Sequence, residues 1–530
     1  MIKSGLNYPF GLGFWGANGH DGVWHLALIN SLAKGSFEMP SFAGSALQNY
    51  HIGFDLFTAL LHRLTSISTI TLYFQILPVI CAISIGLLGF IFVKNWKKSE
   101  TAALWSIFFV YFGGSIAWIL GKGESTFWSQ QAISTLINPP YAWSLVFLLL
   151  GLISLQKKKL IFAIIFFGVL VEIKVYAAVL GLMGLFIISL IDFVKSKSIF
   201  NLKVFIGSLI LSIILFIPLN KNSTGILVWQ PFWFLETMMS YSDRVGWFKF
   251  YEAMTTYRVS DPIKFILSYG FAFVIFWFGN LGTRAIKELE VLRWIKNPKL
   301  VNSFEVFFAI AILAGVTIPM LFLQKGTPWN TIQFLYYSIF FSSLLAGVAV
   351  SNLQSKINNS RLRYLFGVGV VLLTIPTTLI TLKDVYLPSR PPAMLPSAEL
   401  EALNFLSMQP EGIVLTFPFD SAKAKEAESD PPRPLYLYES TAYVSAFANK
   451  SVYLEDEVNL DITGYEWKTR REQVDEFYRS LDQKYVYEFL RVNDISYIYW
   501  VGSQRATLGE DQLGIERIFE NSEVDIYRVK

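Results

Sequence analysis

Long apolar runs separated by short charged connectors dominate the chain as far as Leu382. They fall at Thr69–Val93, Thr101–Leu120, Tyr141–Leu155, Leu160–Leu190, Asn201–Leu219, Ile263–Gly282, Asn302–Leu323, Asn330–Val350 and Leu362–Leu382. A single helical crossing takes roughly 20 residues. Leu160–Leu190 is too long for one crossing and is interrupted by Glu172 and Lys174.

The basic residues alternate along these runs. One set of connectors carries Lys94, Lys97 and Lys98, then Lys157–Lys159, then Lys195, Lys197 and Lys203. It continues with Arg284, Lys287, Arg293, Lys296 and Lys299, then Lys356, Arg361 and Arg363. The intervening loops hold few, such as Lys122 and Lys325. The positive-inside rule makes the first set cytoplasmic. Both ends of Leu160–Leu190 are then inside, so this run crosses an even number of times. It reads as a hairpin of two short helices, neither reaching across a core of about 30 Å, with Glu172 and Lys174 at a recessed outer apex. The whole pattern gives about ten crossings. The segment before Thr69 lies outside, as do Gly121–Pro140, Asn220–Pro262, Gln324–Trp329 and everything after Lys383. An outer N-terminus needs a preceding crossing, and "MIKSGLNYPF" has no apolar centre of its own. A further span upstream of Met1 is therefore expected.

After Leu382 the pattern changes. "YLPSRPPAMLP" is a proline-rich connector that cannot be a helix interior. From Ser397 the chain reads as a small soluble α/β unit. Glu399–Met408 has helical spacing and "GIVLTF" reads as a buried strand. "KSVYLEDE" is another strand candidate, and Arg470–Arg491 is a long amphipathic helix. "ISYIYW" and "IERIFENSEVDIYRV" supply the last strands. The domains expected are 1–68, an outer loop with interfacial helices such as Phe54–Leu64; 69–382, the transmembrane domain; 383–396, the connector; and 397–530, an extracytoplasmic α/β domain.

Composition agrees with this class. Of 530 residues, 53% are hydrophobic and 16% charged, against about 25% charged in soluble domains. The net charge of +4 gives no reason to invoke nucleic acid. One cysteine, Cys81, excludes an intrachain disulfide or a cysteine metal site.

Chemistry concentrates near the N-terminus. In "NGHDGVWHLALI", Asp21 and His25 stand one helical turn apart, with Asp21 at a helix start that favours an anion. "LQNYHIGFDL" adds Gln48, Asn49, Tyr50, His51 and Asp55, with His51 and Asp55 at the same spacing. Three of the four histidines lie here: His20, His25 and His51. Such bunching marks a polar site at the outer face. His and Asp also admit a divalent metal, but no paired-carboxylate or HExxH signature calls for one. A lysine at bilayer depth is rarely idle, which singles out Lys174. Glu124, in "GKGEST", reads first as a solvated loop glutamate and second as a further acid of the site. "GTPWNTIQF" places Trp329, Asn330 and Gln333 at a span mouth, where amides suit sugar hydroxyls or helix-to-helix bonds. The loop Asn220–Pro262 is rich in tryptophan and tyrosine, as an interfacial belt or a lid. "YLEDEVNLD", with Glu455, Asp456, Glu457 and Asp461, reads as a solvated acidic loop without EF-hand spacing.

"HDGVWHLALI", "LQNYHIGFDL", "VEIKVYAAVLGL", "GTPWNTIQFLYYS" and "LYESTAYVSAFANKSVYLEDEVNLDITGY" together resemble the bacterial and archaeal GT-C membrane glycosyltransferases. Where that superfamily commonly has an acidic pair in its first outer loop, Asp21 here stands beside His20. The resemblance implies a polyprenyl-phosphate sugar donor and transfer to a glycan, lipid or protein acceptor at the outer face of the cell membrane. Asp21 would be the base of an inverting transfer, with His25 orienting it or touching the donor phosphate. Lys174 would stabilise the leaving phosphate. Asn49, His51, Trp329, Asn330 and Gln333 would line the substrate site. Two other readings stay open: a transporter or flippase of lipid-linked glycans, and a non-catalytic envelope assembly protein.

Overall fold

The structure, a computed structural model, describes residues 1–129, 138–220 and 227–530. Residues 130–137 and 221–226 lie outside the described residues. Among the described residues eight helices are long and apolar enough to cross a membrane: Thr69–Lys97, Pro139–Gln156, Val175–Ser196, Phe200–Leu219, Pro262–Lys296, Ser303–Leu321, Pro328–Lys356 and Ser360–Tyr386. Two shorter apolar helices, Glu100–Phe112 and Leu160–Ile173, accompany them. The chain is a polytopic α-helical membrane protein with a sheet-containing C-terminal region.

Contacts divide the chain into two compact units. One comprises Met1–Val79, Leu219–Ser223 and Pro388–Lys530; the other comprises Ile80–Pro218 and Thr224–Leu387.

In the second unit, Gln333–Lys356 is the axial helix. It is apolar on every face and mostly buried, as a helix enclosed by others must be. Gly347 lets Glu100–Phe112 lie directly against it: a Cβ there would sit 2.1 Å from the Ser106 backbone nitrogen. Leu160–Leu190 does break in two, but unequally. Leu160–Ile173 has 14 residues, whereas Val175–Ser196 has 22 and is long enough to cross. Only Lys174 separates them, in an extended conformation at φ −162° and ψ 110°. Its N–H closes the first helix on the Leu170 carbonyl, and its own carbonyl accepts the N–H groups of Ala177 and Ala178.

Two basic residues assigned to an aqueous connector are buried instead. Arg284 and Lys287 lie in the 3₁₀ turn Gly282–Lys287, exposed by only 1% and 3%. The Arg284 guanidinium donates to the carbonyls of Asn280 and Leu281, satisfying groups that the end of Pro262–Leu281 leaves open.

The first unit joins the two ends of the chain. One sheet runs Leu6–Tyr8, Gly11–Phe14, Ala393–Pro396, Arg433–Pro434. Gly11 to Phe14 pair antiparallel with Pro396 to Ala393, so the proline-rich connector contributes a strand. The second sheet runs Ile413–Thr416, Ile495–Val501, Val524–Val529, Ile515–Glu520, with the first pair parallel and the rest antiparallel. The stretch Arg470–Arg491 is two helices, Trp467–Arg479 and Gln483–Val492, because Asp482 caps the second one. "KSVYLEDE" forms a single bridge, Val414 with Val452, rather than a strand. Its backbone is used by the N-terminal segment. Val452 N–H donates to the Pro40 carbonyl at 2.7 Å, Ala43 N–H to that of Val452 at 2.9 Å, and Glu455 N–H to that of Ser41 at 2.9 Å.

That stitching explains why the acidic run is not a solvated loop. Glu455, Asp456 and Glu457 are all buried, while Asp461 is exposed. Glu455 accepts from the backbone N–H groups of Val444 and Ser445, at the start of Tyr443–Ala448, and from the Ser445 hydroxyl. Asp456 caps Glu457–Thr463 through Asn459 N–H. Glu457 pairs with Arg471. Each carboxylate has fixed donors, which is what makes its burial tolerable.

Glu399, at the start of Ser397–Ser407, is fully buried beneath Tyr499, whose hydroxyl donates to it at 3.4 Å. Burial, with the charge of Glu523 added, pushes its pKa up to about 8, although hydrogen bonds from Tyr499 and Tyr443 oppose the rise. The folded chain therefore holds a proton there that the unfolded chain releases near its ordinary value of 4.5. The associated stability is full below that value and is lost as pH rises to about 8. Glu399→Gln should flatten this dependence: between pH 5 and pH 8 the thermal midpoint of the variant should fall less than that of the wild type. Equal slopes in a thermal-shift series would contradict the assignment.

Candidate functional site

In the first unit Asp21 opens the helix Asp21–Lys34, which ends at Gly35 in the left-handed region (φ 86°). Its first-turn position places a carboxylate at the positive end of the helix. The side chain is 52% exposed, and its Oδ1 lies 2.8 Å from His20 Nδ1. Asp21 is thus held by its chain neighbour, not by His25 one turn on.

His25 is turned inward. Its Nδ1 lies 2.8 Å from Oδ1 of Asp55, on Gly53–Thr65, and both side chains are buried. Tyr73 stacks on the imidazole at 5.7 Å, and Phe54 and Tyr50 pack edgewise or tilted at 6.4 and 6.1 Å. Two four-residue spacings in the sequence, Asp21 with His25 and His51 with Asp55, are exchanged for one long-range pair. Burial decides this: an imidazole facing the core needs a partner there, and Asp55 is the acid that faces the core with it. His51 stacks on Tyr50 at 4.5 Å. Asn49, at φ 51°, donates its amide to the Thr463 carbonyl at 2.8 Å, so it also ties the N-terminal segment to the C-terminal region.

Around His20 stand residues that local sequence spacing did not single out. Its ring lies 6.4 Å from that of Tyr438, and the Arg433 guanidinium covers the Tyr438 ring at 3.6 Å. Burial works against the charged imidazole. The charge and hydrogen bond of Asp21, and the charge of Asp456, outweigh burial and a smaller push from Arg433, so the His20 pKa is raised. Asp456 in turn is pushed up to about 7, by burial above all; its bonds to Asn459 and the charge of His20 oppose this, and Asp21 adds to it. The Asp456 carboxylate could have been suspected from its apolar flanks, "VYL" before and "VNL" after. Tyr438 and Arg433 carried no such signal.

In the second unit Lys174 is buried at the break between its two helices, with Nζ 5.6 Å from the Tyr176 ring centroid. Non-helical backbone at membrane depth persists only inside protein or along a polar cavity. The Tyr176 hydroxyl donates to Gln324 Oε1 at 3.0 Å, and its ring packs on Phe334 at 4.8 Å. That contact ties the break to the first turn of Gln333–Lys356. Gln333 is half-buried there, Asn330 sits in the 3₁₀ turn Pro328–Ile332, and Trp329 is 52% exposed. Glu124 is not a solvated loop acid. It is 2% exposed, its N–H donates to Thr381 Oγ1 at 3.1 Å, and it lies within Coulombic reach of Arg284. Among the described residues no three of His, Cys, Asp and Glu converge to hold a metal ion.

No protein-family model matches the sequence, and no curated protein matches it either. Solved structures do. The oligosaccharyltransferase of Archaeoglobus fulgidus, tethered with an acceptor peptide containing the NVT sequon, superposes with a TM-score of 0.50 at 12% identity over 94% of this chain and 67% of that one. The same protein in complex with Zn and sulfate gives 0.51 at 13% identity, over 94% of this chain and 66% of that one. ArnT from Cupriavidus metallidurans bound to undecaprenyl phosphate gives 0.44 at 10% identity, over 97% of this chain and 94% of that one. The chain spans about two thirds of the archaeal protein's length. Its fold is that of the archaeal oligosaccharyltransferase.

The buried His25–Asp55 bond predicts that Asp55→Ala lowers stability by roughly 1–3 kcal/mol, the cost of stranding a buried polar group. The double variant H25A/D55A should lose less than the sum of the two single variants. Additive losses in thermal unfolding would show that the two groups do not depend on each other.

Proposed function

We propose that this chain is a membrane glycosyltransferase. It moves a sugar from a polyprenyl-phosphate-linked donor to an acceptor hydroxyl at the outer membrane face. What carries this reading is the arrangement at Asp21: a half-exposed carboxylate at a helix start, held through one oxygen by a neighbouring imidazole, on a GT-C fold. A carboxylate so placed can meet a hydroxyl at the surface while its orientation stays fixed.

The chemistry assigned is inverting transfer. The acceptor oxygen attacks the anomeric carbon, the bond from that carbon to the phosphate oxygen breaks, and Asp21 takes the acceptor proton. The negative charge that collects on the departing phosphate calls for a fixed cation. Lys174 is suited to that task because it is buried, at the mouth of a broken helix whose N-terminal N–H groups add to the positive potential. Tyr176 lies beside it and bonds Gln324, and with Gln333 these are the candidate hydrogen-bonding groups for the donor's polar end. Trp329 and Asn330 supply a ring and an amide at the same span mouth for sugar contacts, and Glu124 is the candidate second acid. His25 and Asn49 act as supports, and His51 lines the aromatic side of the N-terminal segment. Among the described residues no three of His, Cys, Asp and Glu converge on a divalent ion.

The acceptor is read as a hydroxyl of a glycan, lipid or protein. The C-terminal region is extracytoplasmic in this scheme, since basic connectors mark the opposite face as cytoplasmic.

Asp21→Asn should abolish transfer while the protein stays folded and membrane-inserted. Mass spectrometry of lipid-linked and surface glycans, from cells with the gene deleted and complemented by each form, reads this directly. Wild-type product from the Asn variant would reject the base. Lys174→Ala should raise the donor concentration needed for half-maximal transfer in membranes. An unchanged donor dependence would remove Lys174 from the phosphate site.

A further inference from the structure

We infer that His20 is a positioning residue for Asp21. The inference rests on the reading of Asp21 as the base.

The geometry is specific. His20 ends the 3₁₀ turn Gly16–Gly19 and directly precedes the helix that Asp21 opens. Its Nδ1 meets Asp21 Oδ1 at 2.8 Å, across adjacent residues. Side chains one residue apart on a helix do not face each other. They meet here because His20 lies outside the helix, at φ −116° and ψ −67°, while Asp21 lies inside it. The contact therefore depends on the turn being held in place. Asn18 and Trp15, on and just before that turn, bond the Ser4 hydroxyl, and the strand Gly11–Phe14 behind them pairs with Ala393–Pro396.

The charged and titratable groups that face His20 come from three elements. Asp21 belongs to its own helix, Arg433 to the strand Arg433–Pro434, and Asp456 to the cap of Glu457–Thr463. Two are acids and one is a base, so the balance favours an imidazolium. An imidazolium donates to Asp21 from Nδ1 whatever the environment of the other nitrogen, whereas a neutral ring does so in only one tautomer.

The test uses the full-length protein in lipid nanodiscs with histidine-selective ¹⁵N labelling, which leaves only four imidazoles to follow. His25, His51 and His62 report that the fold is retained. The His20 midpoint should lie above the ordinary 6.5 of histidine, and Asp21→Asn should lower it. In complemented cells, His20→Ala should cut glycan product on the order of 100-fold, as misplacement of a reacting group does. His20→Asn, whose amide can donate from nearly the same point as Nδ1, should restore most of it. An unchanged His20 midpoint in D21N, or wild-type product from H20A while D21N makes none, overturns the inference and leaves the base standing. Wild-type product from D21N overturns the base itself, whatever His20 does.

Discussion

The pairing of Gly11–Phe14 with Ala393–Pro396 is the constraint from which the rest of the first unit follows. It brings the start of the chain and the region after the last membrane helix into one sheet. Everything chemical near Asp21 depends on that. The 3₁₀ turn that follows Phe14 carries His20 to Asp21, and the strand that follows Ala393–Pro396 in the sheet carries Arg433 toward His20. Gly11 is where the close approach is tightest: at φ 116°, a Cβ would lie 2.1 Å from the Leu395 carbonyl oxygen. Only glycine permits strands to meet at that spacing in that conformation.

A second consequence concerns burial of charge. Carboxylates are costly inside a protein unless donors are already in place. Glu455, Asp456 and Glu457 are supplied with donors by a helix start, a cap and an arginine, respectively. His25 and Asp55 supply each other. In the second unit Arg284 uses backbone carbonyls at a helix end, and Lys174 sits where a helix is interrupted. Arg284 and Lys174 thus sit at the end and at the break of a helix, where unsatisfied backbone groups remain.

Much of the helical architecture was legible in the sequence, because hydrophobic run length and basic connectors are local signals. The break at Lys174 was legible because Glu172 and Lys174 interrupt the run, though not its asymmetry: the second helix continues past Leu190 to Ser196, and the break is one residue wide. Asp21 was legible as a helix-start acid. Its partner was not, since His20 and His25 are both at plausible distances and only the three-dimensional packing turns His25 toward Asp55. The strand at Ala393–Pro396 was hidden by its prolines, which argue against a central strand; here the pairing is only four residues long and Pro396 stands at its last position. The burial of "YLEDE" was hidden because its donors, and the Ser41 carbonyl that takes up the Glu455 N–H, come from distant segments.

The sheet that unites the chain's ends also makes the account's central claim testable at one point, for Asp21 and the C-terminal region belong to one unit and must share a side of the membrane. Leu481 is an exposed residue of that unit, at 76%. Placing a cysteine there, in a chain whose own Cys81 has been replaced by serine, allows labelling of intact cells with a membrane-impermeant maleimide. Labelling without permeabilisation is the result expected of an outer-face transfer site. Labelling only after the membrane is opened would put Asp21 in the cytoplasm and contradict it.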